Sequence, residues 1–358
     1  MTPRIVTYSE MQCADTCLRK HKIMYGLKLR RMADVPALRI GTAIHKALDL
    51  HATGYPAAHA IMCVREDYAA HEPTLSLEEA LQVSYEHEMV AQLLACYFWY
   101  WEEQNSRMTP MKSELSFSIP IRNPHTNRAL KWRYAGKIDK LVQCDNTPYL
   151  SIMEHKTTSQ DITPDSDYFK RLRIDAQIGL YFMAAKTLGY DVGEIIYDVI
   201  RKPQLRPSNI PLLDEDGVKI VLDNDCERVR NKDGKTWRQT GDTALGYTLQ
   251  TRKETPSEYG DRLRADIASR PEHYFARRVI ARIDKDVEET KQDVFDKAKR
   301  LQYHESINSW PRNTGACIGF GRCACFDLCT NSFDPDAGIV PDGWERVDNQ
   351  HTELEPTE

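Results

Sequence analysis

The stretch GKIDKLV, Gly136 to Val142, is followed by SIMEHKTTS, Ser151 to Ser159. Both read as strands, with Asp145-Asn146 as the turn between them. Asp139 and Glu154 are symmetric about that turn. A regular antiparallel hairpin therefore sets them directly opposite each other. Like charges facing across a strand pair destabilise a sheet unless something positive lies between them. A divalent cation with oxygen ligands is the simplest candidate. Glu154 and Lys156 share strand parity, so both side chains project to one face. There the lysine can orient or deprotonate a water, or offset charge on a phosphate under attack. Taken alone, Glu-x-Lys also fits two charges on a solvated strand face; the opposed aspartate is what argues for a site.

Working outward, Leu115, Phe117, Ile119 and Ile121 alternate as in a half-buried strand. Asn123 to Asn127 is a turn, Leu130 to Val142 a second strand, and Tyr149 to Lys156 a third. A helix is expected from about Asp167 to Leu188, and Ile195 to Ile200 is a strand closed by Pro203. Gln177 and Tyr181 stand at i, i+4 on that helix and share one face. Upstream, one helix runs from Tyr8 to about Tyr25, opening at Ser9, and another from Ile40 to about His51. His45 lies on the apolar stripe of the second with Ile44 and Leu48. It is either a core histidine or a ligand that would favour a site accepting Mn²⁺ as well as Mg²⁺.

Ser76-x-x-Glu79 is a capping box opening a long helix to about Gln104, which ends in the aromatic run YFWYW. After Pro203 comes a polar insertion, about Gln204 to Lys253. Thr255-Pro256-Ser257-Glu258 then supplies an N-cap, an N1 proline and a capping-box glutamate for a helix ending before Pro271. Tyr274 to Ile283 is strand-like and Asp284 to about His304 helical. The pattern is a mixed α/β sheet flanked by helices.

With 358 residues, 41% apolar and 28% charged, the chain has the composition of an ordinary globular protein. No apolar run approaches a membrane span, and MTPRIVTYSEMQC lacks the apolar core of a signal peptide, so a cytoplasmic location is expected. The net charge of −5 does not advertise nucleic-acid binding. Basic clusters at Lys28-Arg30-Arg31, Lys170-Arg171-Arg173, Arg201-Lys202, Arg228 to Arg238 and Arg277-Arg278 still permit a local basic groove. Pro341 to Glu358 is acidic and poor in apolar residues, and reads as a disordered tail. No phosphate-binding loop of the form GxxxxGK followed by Ser or Thr occurs, so no such motor is present in these residues.

Ten cysteines are present, four of them in CIGFGRCACFDLC, Cys317 to Cys329. In a reducing compartment such a cluster suggests a metal more than disulfides, and by residue chemistry alone zinc leads. Cys63, Cys96, Cys144 and Cys226 are isolated and read as packing residues.

His45 in GTAIH, Asp139 in GKID, Glu154-His-Lys156, and Gln177-Ile-Gly-Leu-Tyr181 together resemble the PD-(D/E)XK nucleases of the RecB-like branch. Within that branch the chain looks more like the iron–sulfur members, among them AddB-type helicase-nucleases, CRISPR-associated exonucleases and phage nucleases. The resemblance implies a restriction-endonuclease-like core and metal-dependent cleavage of DNA. It assigns His45, Asp139 and Glu154 to the metal, Mg²⁺ or Mn²⁺, and Lys156 to the water, with Gln177 and Tyr181 orienting the lysine or the DNA.

The same resemblance implies a 4Fe–4S cluster held by Cys17, Cys317, Cys323 and Cys329, which staples the two ends of the fold. Cys17-Leu-Arg-Lys resembles the family's Cys-Pro-Arg-Lys, with Leu18 for proline. The usual C-x₂-C-x₅-C becomes C-x₅-C-x-C-x₃-C, with Phe320 where the x₂ partner would stand. Cys325 is then spare, with Cys13 or Cys325 as substitutes and zinc as the rival metal.

The expected organisation is a helical region over 1–110, the nuclease core over 111–203, an insertion over 204–253, a cysteine-bearing region over 254–340 and the tail over 341–358. The expected activity is exonucleolytic, on single strands or DNA ends, in recombination, repair or phage replication, with a helicase or recombinase as partner. The rival readings are a DNA-end-binding module without useful activity and a zinc-stapled DNA-binding protein.

Overall fold

The computed structural model describes residues 3–32, 36–71, 76–319, 321–351 and 354. In chain order the first elements are β1 (Arg4–Val6), α1 (Tyr8–Thr16), α2 (Leu18–His21), β2 (Leu29–Arg31), α3 (Pro36–Ala52), α4 (Ala57–His71), α5 (Leu77–Tyr100) and α6 (Glu102–Asn105). The central elements are β3 (Met108–Arg122), β4 (Ala129–Cys144), β5 (Leu150–Thr158), α7 (Asp167–Arg171), α8 (Ala176–Thr187) and β6 (Val192–Arg201). Then follow β7 (Asn209–Pro211), β8 (Val221–Leu222), β9 (Thr248–Leu249), β10 (Thr251–Lys253), α9 (Pro256–Ser269), β11 (Phe275–Ile280), α10 (Asp284–Ser306), α11 (Phe326–Thr330) and β12 (Trp344–Arg346).

The chain forms two units. One comprises Met1–Pro56, Trp101–Arg201 and Phe275–Glu358; the other comprises Ala57–Tyr100 and Lys202–Tyr274. These boundaries differ from the expected ones: the stretch read as a free insertion shares a unit with α4, α5 and α9. In that unit α5 packs on α9, whose start is capped as expected, with Thr255 Oγ1 and Glu258 bonding each other's backbone N–H.

The first unit is built on a mixed six-stranded sheet in the order β1-β4-β5-β6-β11, with β3 on the other edge of β4. β4 pairs antiparallel with β3 and β5, and parallel with β1; β5 and β6 run parallel, β6 and β11 antiparallel. Ile119, Ile138, Ile152, Leu180, Val199 and Leu301 belong to the buried core that binds α8 and α10 to the sheet. At about 25 cal/mol per Å² of apolar area buried, this core is the main stabilising term.

Two expected helices are interrupted. The first breaks at Cys17, whose backbone is extended (φ −165°, ψ 118°). The C-terminal segment takes over the freed groups there: Asn313 Nδ2 donates to Thr16 O at 2.9 Å, and Arg19 N donates to Pro311 O at 3.1 Å. The second breaks at Asp175, whose carboxylate caps α8 by accepting the Gln177 N–H at 2.8 Å. The long aromatic-ended helix stops at Tyr100, four residues short of the expectation, and α6 begins afresh at Glu102.

The expected disordered tail is corrected in its described part. β12 pairs antiparallel with β2, Trp344 packs on the Leu29 cluster, and Lys28 and Arg30 donate to the carbonyls of Asp348 and Gln350. His351 is buried, 3.4 Å from Glu10. A tryptophan, a histidine and basic partners at Lys28 and Arg30 anchor a segment whose acidic composition alone argues for disorder. Residues 352, 353 and 355–358 of that stretch lie outside the described residues.

Candidate active site

β1 and β5 share one edge of β4: β1 takes Trp132 to Tyr134 and β5 takes Lys140 to Gln143. Between them the described pairings leave residues 135–139 open on that edge. Asp139 closes this opening. The hairpin register, Lys140 to Met153, is the one that puts Asp139 opposite Glu154, as the turn symmetry required. The ladder stops one step short, and the Asp139 carboxylate accepts the His155 N–H at 2.8 Å in place of a backbone carbonyl.

Glu154 is 1% exposed. Its Oε1 accepts from Lys156 Nζ and from the Tyr181 hydroxyl, the latter at 3.0 Å. Gln177 Nε2 donates to the Tyr181 oxygen at 2.8 Å. So Glu154, Lys156, Tyr181 and Gln177 form one hydrogen-bonded chain, and helix α8 presents the last two on one face. His45, on α3, places Nδ1 3.6 Å from Asp139 Oδ2. All six expected residues therefore gather at one place.

Burial and the Asp139 charge push the Glu154 carboxyl up; burial also raises Asp139. Burial would lower Lys156, but the Glu154 and Asp139 carboxylates outweigh it and hold the ammonium charged. Loss of water and the Lys156 ammonium push His45 down to about 4, so it is neutral near pH 7 with one ring nitrogen unprotonated.

A model of the PD-(D/E)XK nuclease superfamily matches residues 5–330. The chain belongs to this superfamily. Among solved structures, the nuclease is similar to a crystal structure from Eubacterium rectale named "Putative exonuclease", at 10% identity, with 90% of this chain and 87% of that chain covered and a TM-score of 0.46. No curated protein matches the chain.

The nuclease family uses a divalent metal, and the donors here fit one: two carboxylates and a neutral imidazole are hard and borderline ligands for Mg²⁺ or Mn²⁺. Glu154 Oε2 is buried without a hydrogen-bond partner, which is the orphan a cation would satisfy. Among the described residues no group of three or more His, Cys, Asp or Glu side chains stands in the close arrangement of a metal site. Here Lys156 and Tyr181 occupy one oxygen of Glu154, and His155 N–H one oxygen of Asp139.

The same holds for the cysteines. The fold does bring Cys17 to the C-terminal segment, where its Sγ accepts the Asn313 N–H at 3.4 Å. Cys323 N donates to Cys317 O at 2.9 Å, and Cys329 N to Cys325 O at 3.0 Å. Cys17, Cys317, Cys323 and Cys329 are half-buried, while Cys13 and Cys325 are buried. Burial pushes the Cys13 thiol up to about 11 and the Cys325 thiol higher still, and it raises Cys329 as well. Phe320 lies outside the described residues.

Three residues of the nuclease escaped the motif reading. His155, Asp198 and Arg277 are paired across β5, β6 and β11, on the face of the sheet away from Glu154 and Lys156. His155 Nδ1 lies 3.1 Å and Arg277 Nη2 3.2 Å from Asp198 Oδ2. Arg277 stacks on Trp101 at 4.2 Å and donates to Asn105 at 2.8 Å. This buried network backs the strand from which His155 N–H holds Asp139. The available signal was a lone aspartate in the apolar run EIIYDVI.

Proposed function

We propose that the nuclease hydrolyses DNA phosphodiesters with Mg²⁺ or Mn²⁺, acting as an exonuclease on single strands or DNA ends. The observation that carries this reading is the buried, unpartnered Oε2 of Glu154 beside Asp139, His45 and the charged Lys156. His45, Asp139 and Glu154 would hold the metal. A bound divalent ion supplies a polarised water and a counter-charge for the phosphoryl oxygens. Lys156 places a fixed positive charge where negative charge develops on the phosphate, and Tyr181 with Gln177 fixes the glutamate beneath it.

Labelled linear DNA tests the reading. Degradation in Mg²⁺ or Mn²⁺ and not in EDTA is expected, with Lys156→Ala slower by at least about 10²-fold. Cleavage by that variant at the parent rate would remove the lysine from the mechanism. Binding without cleavage in any divalent metal would favour the end-binding module.

We further infer a RecB-like branch member with a 4Fe–4S staple on Cys17, Cys317, Cys323 and Cys329, serving recombination, repair or phage replication beside a helicase or recombinase. Support comes from the four half-buried thiols at the junction of the chain's ends. Anaerobic purification decides between metals: brown protein with iron and sulfide supports the cluster, and colourless protein with stoichiometric zinc refutes it. Among the described residues no helix is long and apolar enough to cross a membrane.

A further inference from the structure

The basic clusters at Lys170-Arg171-Arg173 and Arg277-Arg278 are far apart in sequence, and the fold treats their members differently. Arg277 turns away from the catalytic face and is taken up by Asp198. Arg278 turns toward it, in the cross-strand row Glu154, Tyr197, Arg278. Two strand spacings, about 10 Å, separate Arg278 from Glu154. Its guanidinium lies 5.0 Å over the Phe169 ring. Phe169 meets Tyr168 edge-on at 5.4 Å, and Tyr168 in turn lies 6.4 Å from Tyr197 and 5.7 Å from the Arg171 guanidinium. An unbroken set of rings thus joins the solvent cations of α7 to the row that contains Glu154.

The turn after α7 is unusually fixed for an exposed segment. Arg282 donates to the carbonyls of Leu172, Arg173 and Asp175, so both terminal nitrogens of its guanidinium are bound to backbone. Asp175 then caps α8, which bears Gln177 and Tyr181. The clamp holds Arg173 and Ile174 outward, and Ile174 is 84% exposed. Among the described residues neither Arg171 nor Arg173 makes an ion pair, and Lys170 reaches only Asp167, at 3.6 Å. A solvated charge run needs neither a triple carbonyl clamp nor an exposed isoleucine at its tip.

We propose that the Lys170–Ile174 turn is the strand guide of the active site. Lys170, Arg171 and Arg173 hold the phosphates of the strand that approaches Glu154 and Lys156. Ile174 is an apolar wedge against the base next to them, so an unpaired or frayed end is the form the site accepts. Guanidinium and ammonium groups bind phosphates without regard to sequence, and exposed apolar side chains beside them separate stacked bases. The proposal rests on the DNA-nuclease reading and adds to it the surface that receives the strand and separates its end.

Fluorescence anisotropy in EDTA, with a labelled oligothymidylate and a labelled blunt duplex, tests it without cleavage. For Lys170→Ala/Arg171→Ala/Arg173→Ala, single-strand binding should weaken at least tenfold. The slope of log affinity against log salt should fall by about 2, as three lost single-strand phosphate contacts require. Ile174→Ser should bind the oligothymidylate within about threefold of the parent yet degrade blunt duplex several-fold more slowly in Mg²⁺. These positions are exposed, and an unchanged melting temperature verifies that the variants fold. Parent-like affinity and salt slope in the triple variant would overturn the guide while leaving the nuclease reading intact. So would a triple variant that keeps DNA binding and loses binding to polyglutamate, which would mark a docking face for an acidic protein. A parent protein that neither binds nor cuts either DNA would overturn the nuclease reading itself.

Discussion

The carboxylate of Asp139 accepts the backbone N–H of His155 at 2.8 Å, where the β4–β5 ladder would have made its next bond. One side chain therefore both closes the hairpin and faces the candidate metal position. The two roles are separable. Asp139→Asn keeps an acceptor for the N–H and removes the charge. It should retain the parent melting temperature within a few degrees and lose at least about 10²-fold in activity. Asp139→Ala should lose activity and also about 1–2 kcal/mol of stability, because the N–H is left unpaired. Equal melting temperatures for the two variants would show that the bond does not hold the hairpin.

Tyr181 donates to Glu154 and accepts from Gln177, so its hydroxyl is the joint between helix α8 and strand β5. Tyr181→Phe preserves the buried ring and removes the joint. Loss of about 1–1.5 kcal/mol of positioning corresponds to roughly a tenfold drop in kcat. KM for DNA should stay near the parent value, since no substrate contact is assigned to this hydroxyl. A KM effect with unchanged kcat would place Tyr181 on the DNA instead.

The motif residues were legible because their geometry is local. Strand parity joins Glu154 to Lys156, turn symmetry joins Asp139 to Glu154, and one helical turn joins Gln177 to Tyr181. His155, Asp198 and Arg277 meet only once β5 and β6 pair in parallel and β6 and β11 antiparallel, a long-range register that no short spacing encodes. The two broken helices have the same origin. Neither Cys17 nor Asp175 is a breaker by type; Pro311 and Asn313 draw off backbone groups in one case and Arg282 in the other. Composition misjudged the tail because its anchors, Trp344 and His351, are few among many acids.

Arg277 offsets a fully buried Asp198 carboxylate whose histidine neighbour is neutral, since burial pushes His155 down to about 4. Arg277→Met removes the cation bonded to the aspartate, with the Lys140 charge remaining near it, and should cost up to about 3–5 kcal/mol. Asp198→Asn/Arg277→Met removes the buried charge altogether and should recover part of that loss. Thermal melting of the two variants checks the order. A single variant no less stable than the double would show that Asp198 is offset elsewhere.

In the second unit, Glu254 is buried and accepts both arms of Arg262, at 2.6 and 2.7 Å, and the Ser208 N–H at 2.9 Å. The Arg262 hydrogen bonds hold its carboxyl down at about 2. The folded value lies below that of an unfolded glutamate, about 4.3, so the unfolded chain binds the proton first. The stability this pair contributes is complete above about pH 4.5 and drains away as pH falls toward about 2. Arg262→Met should therefore melt below the parent at neutral pH, and the gap should narrow on acidification through that window. A gap of constant size from neutral pH down to about pH 2.5 would mean that the pair contributes nothing through its charge.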